Sequence, residues 1–276
     1  MHTKYFYLLM LYLFVYQHVF SQSVRYSISS PYISIGTYSK KQNHVLASFN
    51  NQAALAGLKS INVGIYGERR FMLAENSAYA IAAALPTSKG NFGLQINYAG
   101  FADFNEKKLG IAYARNLGKK VDIGIQFNHY GYSVSGYGNA SAITFEAGIL
   151  IHFSEELTGG VHVYNPVGGK LGKAEDEKLA SVYKFGVGYD ASDNFFVGIE
   201  IMKEEDKPVH VTGGVQYEFM KQFFARAGFV SDTGSGFAGA GISWKNIRLD
   251  LTAGYHPQLG ISPGILIMTN FKDKQK

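Results

Sequence analysis

Cysteine is absent from the 276 residues, which excludes a disulfide framework, a thiolate metal site, a catalytic thiol and a lipid-modified cysteine. Beyond the first twenty residues the chain has no long uncharged apolar run. This excludes a bundle of membrane-spanning helices, each of which needs about 20 such residues. The net charge of +5 is small and its basic residues are scattered, so no nucleic-acid partner is predicted.

Aromatic residues and glycine, by contrast, are abundant. Aromatics make up 14% of the chain, and it holds 32 glycines, while the mean hydropathy is only −0.05. Membrane β-barrels collect aromatic side chains at both lipid interfaces, and glycine relieves crowding where another segment approaches a strand closely. The composition therefore favours a membrane barrel.

The N-terminus has the layout of a secretory signal peptide. A short basic start with His2 and Lys4 precedes an apolar run from Tyr5 to Phe20, and small polar residues follow it at 21–23. We predict a signal peptide over residues 1–21. The alternative is a membrane anchor, but the run is short and lacks a basic stop-transfer flank.

Strict alternation of apolar and polar residues dominates the chain after Ser60. In the segment Ala142–Phe153, the odd positions are apolar and the even positions include Thr144, Glu146 and His152. Because successive side chains of a strand point to opposite faces, one face of this strand is apolar and the other polar. A soluble β-sandwich also alternates and is the alternative fold.

About fourteen segments of this kind are predicted as strands, an even number as expected for a bacterial single-chain barrel. They cover residues 60–72, 76–87, 90–102, 106–117, 120–134, 139–153, 156–166, 180–190, 193–203, 208–219, 222–231, 236–245, 246–256 and 260–271.

The connections between these segments alternate between tight turns and longer loops. Outer-membrane barrels have short periplasmic turns and longer external loops, so this alternation predicts that both termini are periplasmic. The fold class is thus all-β: a monomeric transmembrane antiparallel barrel of about fourteen strands in a Gram-negative outer membrane. The barrel would span 60–271, and a polar tail would cover 272–276.

Residues 22–59 differ in character and are predicted to form an N-terminal plug. Within them, the stretch from Phe49 to Gly57 predicts a short helix, with Asn50 or Asn51 as its N-cap and Gly57 as its C-terminal stop. A barrel of this strand number has a lumen that needs filling, so we expect the segment to fold inward.

The same stretch resembles a known family. Ser34-Ile35-Gly36-Thr37, followed by Val45 through Ala56, is similar to the mature N-terminus of PorV/PorQ-like outer-membrane proteins and of the wider fatty-acid-transporter (FadL-like) group. The residues that carry this plug motif are Asn50, Asn51, Gln52, Ala53 and Leu55. Gln52 stands where the family has proline, and Gly36 lacks a neighbouring glycine.

The resemblance implies two roles, and fold analogy does not choose between them. The first, our leading hypothesis, is an accessory component of type IX protein secretion, whose partners would be secretion-machinery subunits or exported proteins. The alternative is a FadL-like channel for hydrophobic small molecules, whose partner would be a hydrophobic ligand. A structural or adhesive surface barrel is a third possibility. In every case the surrounding partner is outer-membrane lipid.

Many ionisable residues fall on the predicted inward face, and acids and bases nearly balance. They are Glu68, Arg70, Glu146, Lys184, Glu200, Glu218, Arg226, Arg248 and Asp250, with His152, His162, His210 and His256. We expect them to pair across the lumen and to hold barrel and plug together, because buried charges need partners. A selective pore would instead carry one sign of charge.

No catalytic residue, cofactor or metal is predicted. The nearest serine–histidine pair, His129 and Ser133, lacks an orienting third group, and no G-x-S-x-G sequence occurs. No two histidines have metal-ligand spacing. The longest loop, 165–178, lacks the spacing of a phosphate-binding loop, and we interpret it as a solvated external loop that could bind a partner.

Overall fold

The computed structural model describes residues 31–171, 177–205, 207–232 and 234–271. The predicted signal peptide (1–21), the start of the predicted plug segment (22–30) and the polar tail (272–276) lie outside the described residues. Among the described residues, no helix has the length and apolar character needed to cross a membrane.

Fourteen antiparallel strands close into a single barrel, which confirms the predicted fold class. The wall strands are β1 (Ile61–Arg69), β2 (Ser77–Thr87), β3 (Gly90–Gly100), β4 (Phe104–Leu117), β5 (Val121–Val134), β6 (Gly138–His152), β7 (Leu157–Tyr164), β10 (Val182–Asp190), β11 (Phe195–Glu204), β12 (His210–Met220), β13 (Phe223–Val230), β14 (Ser235–Trp244), β15 (Ile247–His256) and β16 (Gly260–Phe271). A two-stranded hairpin, β8 (Lys170–Leu171) with β9 (Glu177–Lys178), interrupts the loop between β7 and β10.

Each wall strand pairs with its neighbours in sequence, and the ring closes between the first strand and the last. Ile61 pairs with Phe271 at one end of this seam, and Glu68 pairs with Gly264 at the other. Every one of the fourteen predicted segments corresponds to a wall strand. A closed ring leaves no open sheet edge, so the sandwich alternative is wrong.

The alternation predicted for β6 matches the burial of its side chains. Thr144 and Glu146 are buried in the lumen, whereas Ile143 on the opposite face is 66% exposed. The same apolar outer surface continues on neighbouring strands, where Ile111 is 62% exposed and Phe127 is 60% exposed. A soluble protein rarely exposes so extensive an apolar band, and a membrane barrel requires one.

The two ends of the barrel differ in the length of their connections. At the tight-turn end, where β2 joins β3, the connections have two to four residues; at the loop end, where β1 joins β2, they have three to seventeen. Three of the loop-end connections, residues 101–103, 135–137 and 257–259, contain only three residues each. Around these three connections the predicted strand bounds lie within two residues of the observed ones.

The N-terminal segment, residues 31–58, lies inside the barrel and is called the plug below. It contains α1 (Pro31–Ser34) and three 3₁₀ helices, Ile35–Tyr38, Val45–Phe49 and Gln52–Gly57. The single helix predicted over 49–57 is wrong in its bounds: one 3₁₀ helix ends at Phe49, and a second begins at Gln52 after Asn50 and Asn51. Asn51 is the N-cap, because its Oδ1 accepts a hydrogen bond from the Ala53 N–H at 3.0 Å.

Candidate functional site

The plug packs directly against glycines of the wall. A Cβ atom at Gly124 on β5 would lie 2.5 Å from the backbone nitrogen of Ala53, and one at Gly186 on β10 would lie 2.1 Å from the Tyr38 ring. Both glycines occupy inward positions of their strands. They permit a close approach between plug and wall that any larger residue would prevent.

One buried ion cluster joins the plug to β10 and β11. The side-chain amide of Asn50 donates to Glu200 Oε2 at 2.6 Å, and Tyr38 donates to the same oxygen at 2.7 Å. Lys184 donates to Asn50 Oδ1 at 2.5 Å. Asn50 thus bridges an acid and a base of the wall.

A second cluster surrounds Glu146 on β6. Lys108 lies 2.9 Å from its Oε1, and His162 lies 3.1 Å from its Oε2. Asn128 donates to Oε1 at 3.0 Å. The plug contributes Gln52, whose amide donates to Oε2. This carboxylate therefore has partners on three other strands and in the plug.

A third cluster fixes the start of the plug against β13 and β15. Arg226 donates to the Tyr32 carbonyl and, at 2.9 Å, to Gln216 Oε1, and its guanidinium lies 4.7 Å from the centre of the Tyr32 ring. Tyr32 in turn donates to Asp250 Oδ2 at 3.1 Å, and Arg248 donates to Asp250 Oδ1 at 2.8 Å.

The remaining predicted lumen residues occupy separate places. Arg70 pairs with Glu68 at 2.5 Å near the loop end, and His152 pairs with Asp122 at 2.8 Å. Glu218 lines a small pocket of about 130 Å³ at the tight-turn end. Of the plug motif, Leu55 is buried and Ala53 packs on the wall.

Several lumen residues on β3, β4 and β5 were not among the predicted site residues. They are Gln95, Lys108, Asp122, Gln126 and Asn128, and all are buried. The signal was present, because each lies an even number of residues from an inward glycine or alanine of its own strand. On β4 three consecutive charged residues, 106–108, obscure the alternation.

Above the plug, at the loop end, lies a cavity of about 630 Å³, here called the loop-end cavity. Its floor includes Pro31, the first described residue of the plug. Its walls carry the aromatic residues Tyr66, Phe71, Phe104, Phe237 and Tyr255, the carboxylates Glu68, Glu75, Glu106, Glu204 and Asp232, and the cations Arg70 and Lys207, with His210 and His256. The volume is within the range of small-molecule pockets.

A groove on the outer wall reaches the same region from the lipid side. It has a volume of about 620 Å³ and centres on Gly67, which pairs with Tyr79 on one neighbouring strand and with Ile265 on the other. Glu68 and Gly100 line both the groove and the loop-end cavity. The cavity and the groove therefore lie on opposite sides of the same stretch of wall.

The tight-turn end carries an exposed ion pair between plug and wall. Lys41 Nζ lies 2.7 Å from Asp193 Oδ1. The hydrogen bond from Lys41 holds the pKa of Asp193 below its usual value, and Asp193 raises the pKa of Lys41. Among the described residues, no three histidine or carboxylate side chains are placed to share a metal ion.

No protein-family model matches the chain, and no curated protein matches it. Solved structures do. The monoaromatic hydrocarbon channel CymD superimposes with a TM-score of 0.64 at 12% identity, over 88% of this chain and 99% of that chain. The toluene transporter TodX of Pseudomonas putida gives 0.63 at 9% identity, over 86% and 98%. A FadL homologue of Pseudomonas aeruginosa gives 0.58 at 10% identity, over 83% and 95%.

At these identities the likeness concerns the fold alone. The FadL-type part of the resemblance is confirmed at that level, since the neighbours include a FadL homologue. None of these neighbours is described as a PorV or PorQ protein or as a component of type IX secretion, so that part of the prediction stays a hypothesis.

Proposed function

We propose that the chain is an outer-membrane channel for small hydrophobic molecules, which enter the loop-end cavity and leave sideways into the bilayer at the Gly67 groove. The observation that carries the proposal is the shared lining: Glu68 and Gly100 border both the cavity and the groove. The plug supports a lateral route, because its buried clusters close the lumen below the cavity. The structural neighbours described as toluene and monoaromatic hydrocarbon transporters support the ligand class.

Uptake of radiolabelled toluene by cells that express the protein in their outer membrane tests the proposal. Expression should raise uptake, and Gly67→Leu, which fills the groove, should return uptake close to that of cells without the protein. The matched control is Gly131→Leu, a substitution of another outward-facing glycine on β5 where a Cβ atom also meets nothing closer than 3.3 Å, which should leave uptake unchanged. Uptake that does not depend on the protein would contradict the proposed channel.

Type IX secretion remains the second candidate, on the strength of the plug motif alone. In the structure Asn50 and Asn51 contact the barrel wall, since Asn51 donates to the backbone carbonyls of Ile149 and Val161 at 3.2 and 3.0 Å. Plug anchoring therefore accounts for these two residues without a secretion partner. Recovery of secretion-machinery subunits with the protein from native membranes would favour this candidate instead.

We also propose that the chain has no enzymatic activity. His129, the histidine of the nearest serine–histidine pair, lies on the outward face of β5 and not in the lumen. Lipid hydrolysis that is lost in His129→Ala would contradict this.

A further inference from the structure

We propose that the loop-end cavity selects hydrophobic amines, in their cationic form, over hydrophobic carboxylates. The inference rests on the proposed function and adds to it the charge of the preferred ligand. It starts from the cavity itself, which is large enough for a ligand of one aromatic ring with a short chain.

The charge of the described cavity lining is opposite in sign to that of the whole protein. Five carboxylates line the cavity against two permanent cations, while the full chain carries a net charge of +5. A concave site lined by one sign of charge concentrates ligands of the opposite sign. A fatty-acid anion is therefore repelled, and an ammonium group is attracted.

The two cations of the lining are already engaged by carboxylates. Arg70 pairs with Glu68 at 2.5 Å, and Lys207 lies 2.8 Å from Glu204 Oε1. Each of the two cations is therefore already balanced by one carboxylate of the lining. Glu75 and Asp232 add negative charge beyond these pairs, and the only cation-forming group near Asp232 among the described residues is His210, at 3.8 Å.

Glu204 shows that the cavity wall has unused capacity to accept hydrogen bonds. The residue is only 5% exposed. Lys207 donates to its Oε2 at 2.9 Å, and its Oε1 accepts no hydrogen bond of good geometry from a described residue. The ammonium of Lys207 is close to this oxygen, but the Lys207 side chain is 57% exposed. A bound ammonium group would supply this buried carboxylate with a further donor, beyond the one from Lys207.

Aromatic rings complete the chemistry. Tyr66, Phe71 and Phe237 line the same cavity as the carboxylates. Aromatic faces attract cations, and proteins use aromatic cages to hold quaternary ammonium ligands. The chain itself uses this contact elsewhere, where the Arg248 guanidinium lies 4.1 Å from the centre of the Phe224 ring.

Three probes with one hydrophobic body and different charge test the inference: phenylbutylamine, phenylbutanol and phenylbutyrate. Their affinities for the full barrel in detergent micelles are measured by calorimetry at neutral pH, and micelles without protein correct for partitioning. We expect the amine to bind about tenfold more tightly than the butyrate, with the alcohol between them.

The double variant Glu75→Gln, Asp232→Asn should reduce the preference for the amine at least about threefold and leave the affinity for the alcohol unchanged. The matched control is Glu155→Gln, Asp193→Asn, which removes two carboxylates at the tight-turn end and should leave all three affinities unchanged. Equal binding of amine and butyrate would overturn the charge selectivity, as would a double variant that weakens all three probes equally. In either outcome, binding of the alcohol would still support the proposed channel. If none of the three probes binds, both the charge selectivity and the proposed channel are overturned.

Discussion

Asn50 in the plug and Glu200 in the wall are joined by a hydrogen bond of 2.6 Å, although 150 residues separate them in the chain. The contact is fully buried, and the same asparagine accepts a hydrogen bond from Lys184. One neutral side chain thus satisfies a buried acid and a buried base. This relationship explains how a short segment with little regular structure keeps a fixed position in the lumen.

Replacement of Asn50 by alanine should lower the free energy of unfolding by about 3 kcal/mol, because both ions then lose a partner in a buried site. Urea unfolding in lipid vesicles, followed by heat-modifiable mobility on gels, measures the effect. The control is Asn43→Ala, which removes one neutral contact to the Ala54 carbonyl and should cost only about 1 kcal/mol. If both variants lose the same free energy of unfolding, the bridge from Asn50 to the two ions contributes no more than a neutral hydrogen bond.

Gln52 occupies the first position of its 3₁₀ helix, directly after the N-cap Asn51. Proline is favoured at this position, since its fixed φ suits the helix and its missing N–H is not needed there. Gln52→Pro should therefore cost only the hydrogen bond to Glu146, about 2 kcal/mol. Gln52→Met, which also removes that bond, should cost the same within error in urea unfolding. A much larger loss for proline would mean that the backbone does not tolerate it.

Gly124→Ala should prevent the plug from docking, because the new methyl group would meet the backbone of Gln52 and Ala53, which cannot move aside. The matched variant is Gly254→Ala on the lumen face of β15, where the nearest atom is 3.7 Å away. Limited proteolysis measures docking through cleavage within residues 31–58. We expect rapid cleavage in the first variant only, and protection of the plug in both would contradict the close packing.

Ile111, near the middle of β4, should face the centre of the bilayer. Ile111→Lys is expected to destabilise the folded barrel in lipid vesicles by about 2–4 kcal/mol, because a charge at the midplane is costly. Leu117→Lys at the end of the same strand should cost about 1 kcal/mol or less, since charges are tolerated near the interface. Both parent residues are exposed on the outer surface. A reversed order of the two effects would place the membrane elsewhere on the barrel.

The wall was predictable from the sequence because one rule governs it. In a strand that separates lipid from a polar lumen, apolar and polar side chains must alternate. The polarity of Ile143, Thr144 and Phe145 therefore shows directly which side of the wall each one faces. The strand ends were less predictable. Asn105, for example, continues the pairing of β4 with β5 toward the loop end beyond the predicted start of β4, without an apolar signal.

The pairing of side chains inside the lumen could not be predicted from the sequence. The predicted inward charges were identified by parity, but whether Glu146 meets Lys108, His162 or Gln52 depends on the register of several strands and on the path of the plug. The same holds for the loop-end cavity. Glu75 and Asp232 lie far apart in the chain, and only the closure of the ring brings their loops to one site.

The seam between β1 and β16 has a consequence for biogenesis. The plug precedes β1 in the chain, and β16, which closes the ring, is the last strand. The barrel therefore closes around a plug that was synthesised before any of the wall strands. Tyr32 and its partner Asp250 are 218 residues apart, and contacts of such separation form slowly. A polypeptide truncated before Gly260 would lack β16, so β1 and β15 would be unpaired edge strands and the barrel would stay open around the plug. We expect periplasmic proteases to degrade such a chain.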